Sequence, residues 1–401
     1  MKFFKYSGNL NFCNKIVEKI QYFGAETSLH GVGKVLPKHI RWFKRIFWLA
    51  VLICSSYGAA WILMQSLKLF ATQSISYSVE TSYLDWETPF PAVSVCEGLD
   101  TDRIHSYLHE NNLPLTMAVF YKEINFWTSK FCNTCKNCKI NQSCTDNIPQ
   151  IVKDFRLKCS EILTDCWWNN QLFSCCDRFK PLTTEYGVCY TFNSILTGNR
   201  SQLIHLSRRT GLKELVFNAK QNIFVRIHSY DETVSVASEN LLGSKSSLPL
   251  ITDLKVHLKV EETTSDASVL KLPPSARGCL KWNERPENVT KWKVQRYSYS
   301  ACILHCRAVA QYQRCNCTHQ LMEPLDGVAY CNIEGLICLS KFKDLNSIKC
   351  DCPMACEETL YKLVHVFNER HTGVDSAELK KRGTQGLVRF SDLPTLRVRR
   401  Q

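Results

Sequence analysis

Cysteine limits what this 401-residue chain can fold into more than any other residue, for there are 22 of them. Cys13 and Cys54 stand alone near the amino end, and the other twenty fall between Cys96 and Cys356. Reduced cytosolic proteins do not accumulate thiols at this density, whereas secreted and lumenal domains do so as cystines. Twenty is even, as complete pairing requires. Four Asn-x-Ser/Thr sequons, at Asn141, Asn199, Asn288 and Asn316, lie in the same span. Their co-location with the cysteines makes them candidate glycosylation sites of an extracellular or lumenal domain.

The oxidised region needs a route out of the cytosol, and the sequence supplies one. From Ile46 to Met64 the run IFWLAVLICSSYGAAWILM carries no charge. At a rise of ~1.5 Å per residue it reaches roughly 28 Å, about one hydrocarbon core. Trp42, Phe43, Phe47 and Trp48 crowd one end and Trp61 and Phe70 mark the other, as interfacial aromatics do. Lys34, Lys38, Arg41, Lys44 and Arg45 precede the run, and only Lys68 follows closely. The positive-inside bias therefore predicts a cytosolic segment over 1–45, a membrane helix over 46–66 and an extracellular domain over 67–401. The run starts too late and is too long for a cleaved signal peptide. Ser55 with Ala59, and Ser56 with Ala60, are small-xxx-small pairs that would let another helix approach.

The net charge of +13 invites a nucleic-acid reading, which its placement opposes. Nine Lys/Arg precede residue 46 against Glu18 and Glu26, and a basic run closes the chain at Arg397, Arg399 and Arg400, so half the excess flanks a membrane segment. No zinc-finger, RNA-recognition or helix-turn-helix pattern accompanies it, and no nucleic-acid partner is expected. The partner expected is the lipid bilayer.

Residues 67–401 read as one composite α+β domain. Strand alternation runs over Asn222–His228 and Asp253–Val260, and Ser300 is placed to cap a helix reading ACILHCRAVAQYQ. The Cys-x-x-Cys-x-x-Cys spacing from Cys132 suits zinc in a reducing compartment. Outside the cell, without a well-spaced histidine, disulfides are the better reading, and no metal or cofactor is expected. Cys302 and Cys306 share a helix face with a rise of ~6 Å between them. Cys350 and Cys352 share a strand face at ~6.6 Å. A helix and a strand lying side by side could thus be bridged rung by rung.

Two other classes compete. One is a surface binding protein that does not conduct. The other is a type II lumenal enzyme, for which Asp100-Thr101-Asp102 gives an Asp-x-Asp without a supporting nucleotide-binding pattern. No Ser/His/Asp or Cys/His arrangement supports catalysis, and the chain is not expected to be an enzyme.

The order of motifs resembles the degenerin/epithelial sodium channel superfamily, and within it the pickpocket-like branch. SLHGVGKV precedes the apolar run and PFPAVSVCE follows it. GVCYTFNS, PPSARGC, YSYSACILHC, RCNC, KCDCPMAC and EETLY come next in family-like order. The resemblance implies a hand-like extracellular domain with palm, finger and thumb, the thumb over about 297–361. It also implies a homo- or heterotrimer of related subunits around a pore permeable to sodium ions, in the plasma membrane, gated by ligand or force. His30 and Gly31 would be the gating motif. The implied bridges are Cys96 to Cys189, Cys279 to Cys356, Cys302 to Cys352, Cys306 to Cys350, Cys315 to Cys338 and Cys317 to Cys331. The eight cysteines from Cys132 to Cys176 fall in the variable finger and stay unassigned. The family's second membrane helix has no counterpart before Gln401. The expectation is an incomplete channel subunit, with a truncated, non-conducting regulatory or binding subunit as the alternative.

Overall fold

The computed structural model describes most of residues 31–401 and scattered positions between 15 and 27. Residues 1–14, 28–30, 36–40, 73–74, 128–130, 137–146, 199–202, 343–347, 372–380 and the single positions 288, 293, 295, 324 and 382 lie outside the description. The chain divides into two compact units, Met1–Ser74 and Ile75–Gln401.

In the first unit one helix runs from Trp42 to Thr72. It begins earlier and ends later than the 46–66 expected, because no proline interrupts the sequence and the single glycine, Gly58, is tolerated within a long apolar run. Its stretch Trp42–Phe70 is long and apolar enough to cross a membrane. A short helix, Val32–Val35, packs beside its first turns. Gly31 turns the chain into that helix with φ +97°, and a Cβ there would lie 3.3 Å from Leu52 and 3.4 Å from Trp48. Lys34 holds its ammonium 4.2 Å above the Trp48 ring.

The second unit is built on two sheets. The larger has Thr252–Ser265 at its centre, a strand whose residues alternate buried and more exposed, with Leu254, Val256, Leu258 and Val260 turned inward. On one side it pairs antiparallel with Glu358–Arg370 from Thr252↔Arg370 to Thr263↔Glu358. On the other it pairs parallel with Thr384–Phe390 and, further along, with Arg397–Arg400. Tyr77–Glu80 closes one edge against Arg397–Arg400, while Glu214–Ala219, Leu163–Trp168 and Gln171–Phe173 extend the other. The second sheet is antiparallel, in the order Ser247–Leu248, Ile223–His228, Ala92–Glu97, Gly187–Phe192, Lys180–Thr184. Its strand Ala92–Glu97, within PFPAVSVCE, is buried at every residue, the polar Ser94 and the charged Glu97 included.

The main core lies among these strands and is rich in aromatics: Phe90 meets Trp168, Phe192 and Phe390 edge-on at centroid distances of 4.9, 6.2 and 5.7 Å. A second core joins the helices Thr101–Glu110, Ala118–Asn125 and Ile148–Phe155 to Ile333–Ser340 and the Cys317–Cys331 bridge. The mixture of helix and strand, with nine disulfides among the described residues, is the α+β organisation expected.

Two local expectations need correction. The helix over Tyr299–Cys315 is capped by Ser298, whose Oγ accepts from the Ala301 N–H at 3.3 Å. Ser300 lies inside the first turn, where its Oγ accepts from the Thr233 N–H instead. Cys350 and Cys352 lie on an irregular segment outside any strand, and the nearest ladder is the short strand Met354–Ala355. Asp100 is a helix N-cap, accepting from the N–H groups of Asp102 and Arg103 at 3.0 and 3.2 Å. That accounts for the Asp-x-Asp triplet as a structural feature.

Candidate functional site

The helix Tyr299–Cys315 is the most heavily tethered element in the domain. Cys302 is bonded to Cys352 and Cys306 to Cys350, with Cα separations of 5.9 and 6.1 Å. Cys315 is bonded to Cys338 at its far end, and Cys317, just beyond, to Cys331. Cys279 and Cys356 join the short parallel strands Cys279–Leu280 and Met354–Ala355 at its base. A four-residue spacing on the helix thus meets a two-residue spacing on an extended segment, and this segment needs no ladder because the bridges hold it.

Its buried face carries an ion pair. Arg307, 2% exposed, places Nη2 3.1 Å from Oε1 of the fully buried Glu185. The other Glu185 oxygen accepts from the Ser235 hydroxyl and the Val236 N–H, both at 2.7 Å. Glu185 sits in the turn between Lys180–Thr184 and Gly187–Phe192, so one carboxylate ties the helix, this hairpin and the 235–236 loop together. A second buried cluster, Glu97 with Arg103 at 2.9 Å and Arg156 at 3.8 Å, ties the helical core to the second sheet. Burial raises the Glu97 pKa and the two arginines oppose it; burial lowers Arg156 to about 10.

At the end of the large sheet, the backbone of Ser76 exchanges both hydrogen bonds with Gln401 at 2.9 Å. The terminal arginines are engaged by this sheet's own carboxylates. Arg397 donates to Glu262 at 2.6 Å and lies 4.4 Å over the Trp86 ring. Arg399 pairs with Asp266 and lies 3.7 Å from Glu80. Arg400 reaches the Ala355 carbonyl and covers the Tyr77 ring. The closing basic run is thus largely internal to the domain. Near it Asp231, Glu232 and Glu358 gather: burial first, then Asp231 and Glu358, raises Glu232 to about 7. Burial also raises Glu358, against the lowering effect of Arg400.

The remaining motif residues fall around this framework. Tyr361 is buried, donates to the Pro89 carbonyl at 3.0 Å and stacks on Phe390, linking EETLY to PFPAVSVCE and to the Thr384–Phe390 strand. Cys96 is bonded to Cys189 directly across neighbouring strands. Among the cysteines from Cys132 to Cys176, Cys132 pairs with Cys135, Cys159 with Cys176 and Cys166 with Cys175. Cys138 and Cys144 lie outside the described residues. The first two cysteines of the zinc-like run are therefore a disulfide, and no metal-binding group occurs among the described residues. Gly31 is described, whereas His30, Asn141, Asn199 and Asn288 lie outside the description. Asn316 is exposed at the C-terminus of the tethered helix.

Glu185, Arg307 and the Glu97 cluster escaped the sequence reading. A lone glutamate in a polar turn carries no local signal of burial. Only the arginine within the buried stripe of an amphipathic helix hinted that a partner must exist.

Comparison with known proteins returned a consistent set. The family model described as amiloride-sensitive sodium channel matches residues 23–400. The bile acid-sensitive ion channel of Homo sapiens is 25% identical over 84% of this chain and 68% of its own length. The sodium channel protein Nach of Drosophila ananassae is 23% identical over 84% and 70%. Pickpocket protein 19 of Drosophila melanogaster is 22% identical over 87% and 77%.

Proposed function

Because the chain belongs to the amiloride-sensitive sodium channel family, whose members are ion channels and not enzymes, we propose that it is a subunit of a sodium-selective channel of the plasma membrane. On this reading residues 1–45 are cytosolic, 46–66 lie within the membrane helix and 67–401 are extracellular, with the thumb at about 297–361. Three related subunits, alike or different, surround the sodium pathway. His30 and Gly31 contribute to gating at the cytosolic mouth, where the positive φ of Gly31 permits a tight turn. The cysteine bridges brace the extracellular part, and the sequons carry glycans.

The observation that carries the reading is the joint at Ser76 and Gln401. Three residues lie between Thr72, the last of the long helix, and Ser76 in the sequence. The Arg397–Arg400 strand is hydrogen-bonded to Thr252–Ser265, whose other edge carries Glu358–Arg370 just past the tethered helix's bridges. A displacement of that helix, by a bound ligand or by force, has a continuous hydrogen-bonded route to the strand Tyr77–Glu80, which follows the long helix in sequence. Sensitivity to small organic ligands is consistent with the name of the human relative.

The test is to express the chain with and without complete family subunits and record sodium current. A conducting subunit adds or reshapes an amiloride-sensitive current; a regulatory or binding subunit changes the partner's current without adding one. Unaltered current under every combination, with the protein at the surface, overturns the proposal. Sequencing the transcript beyond codon 401 tests separately for a second apolar segment.

A further inference from the structure

We propose that Asn316 is a glycosylation site whose use is decided by the Cys317–Cys331 bond: the tripeptide Asn316-Cys317-Thr318 accepts an oligosaccharide while Cys317 is a free thiol and is closed to transfer once the bridge forms. The proposal rests on the reading of this sequon as a glycosylation site and goes beyond it in fixing when it can be used.

The three residues have very different surroundings. Asn316 is exposed, in the left-handed region with φ 56° and ψ 18°, and its N–H donates to the Tyr312 carbonyl at 2.8 Å. Thr318, two residues on, has 0% exposure. Its N–H donates to the Ala329 carbonyl at 3.2 Å, its carbonyl accepts from the Cys331 N–H at 2.8 Å, and it forms a β-bridge with Tyr330. Between them Cys317, 8% exposed, is bonded to Cys331. The bond is packed so closely on Ile333–Ser340 that a Cβ on Gly335 would come within 2.5 Å of the Cys317 sulfur. Cys315, on the other side of Asn316, is bonded to Cys338.

Transfer forms a bond between Nδ2 of asparagine and the anomeric carbon of a sugar carried on a lipid diphosphate. The sugar's bond to the diphosphate oxygen breaks, the lipid diphosphate leaves, and the amide proton passes to a base of the transferase. The enzyme identifies its acceptor by the hydroxyl of the third residue, so that hydroxyl has to be reachable. In the folded domain the Thr318 hydroxyl is sealed, and lifting it out means breaking two backbone hydrogen bonds and moving a cystine that is anchored on both sides. The exposed Asn316 side chain, by contrast, leaves room for a glycan already attached. Closure therefore blocks the reaction but not its product.

Synthesis leaves time for this order. Cys331 follows Cys317 by 14 residues, which at ~5–20 residues per second is about 1–3 s before the partner thiol exists. Disulfide formation then takes seconds or longer.

The experiment uses the full chain made while the transferase is inhibited, so that every sequon is bare and the bridges have formed. The detergent-solubilised protein is then given transferase and a lipid-diphosphate oligosaccharide, with or without prior reduction, and the Asn316 peptide is read by mass spectrometry. Occupancy is expected to rise at least tenfold on reduction, and Cys331→Ser protein is expected to be modified without it. Equal occupancy of oxidised and reduced protein overturns the gate. A peptide that stays bare under both conditions, while another sequon in the same chain is modified, overturns the reading of Asn316 as a glycosylation site.

Discussion

Glu185 shows how little a single residue's context in sequence says about its role. In Thr184-Glu185-Tyr186-Gly187 it reads as a surface turn, yet it is fully buried and accepts from three groups on two other segments, the helix and the 235–236 loop. Glu185→Gln should remove the buried carboxylate that pairs with Arg307, costing about 3–5 kcal/mol in urea unfolding, whereas replacing both with apolar residues of similar volume should cost far less. Glu232 gives a pH dependence. Its pKa in the fold, about 7, lies above the 4.5 of a free glutamate, so the folded state holds the proton more tightly. Its contribution to stability is therefore full below about pH 4.5 and is lost as the pH rises through 7. Melting curves between pH 5 and 7.5 should show the domain more stable at the acid end by on the order of 1–3 kcal/mol from this group. Glu232→Gln should flatten that dependence. Neither carboxylate could be singled out in advance, because burial of a polar residue is decided by chain segments far away in sequence.

Elements were more legible than residues. The apolar run at Ile46–Met64 announced a long helix, and alternation announced the strands Ile223–His228 and Thr252–Ser265. Their ends were not legible: the helix cap fell on Ser298, because Ser300 is drawn to Thr233 by a tertiary contact. Ser298→Ala should cost about 1 kcal/mol of stability as a lost cap, and Ser300→Ala should loosen the 233 loop without shortening the helix, which amide exchange would distinguish. The two rungs at Cys302–Cys352 and Cys306–Cys350 should behave cooperatively. Removing one leaves the other to hold the segments together and should cost about 2 kcal/mol, while removing both should cost more than twice that in thermal melts. Equal, additive losses would mean the rungs stabilise separate regions.

For the molecule as a whole, the division into a long apolar helix and a disulfide-rich domain could be read from hydropathy and cysteine placement, but the order of strands could not. The centre of the large sheet recruits neighbours from residues 358–400 in both parallel and antiparallel sense, and nothing local in Asp253–Val260 chooses between them. The topology proposed from charge is checked by a tag placed before Met1: it should be detected only after permeabilisation, whereas sugar on the extracellular domain should be cleaved from intact cells by an added glycosidase.

The pairing of Tyr77–Glu80 with Arg397–Arg400 has a mechanical consequence. The strands are antiparallel, so residues 76 and 401 leave the pair at the same end, and the hydrogen bonds between them lie across the strand axis. Tension that spreads those two ends sideways meets one bond at a time, like a zipper opened from its free end. Tension along the axis loads all of them together, along with those to Thr252–Ser265. The joint is therefore compliant to lateral splaying and stiff to axial pull.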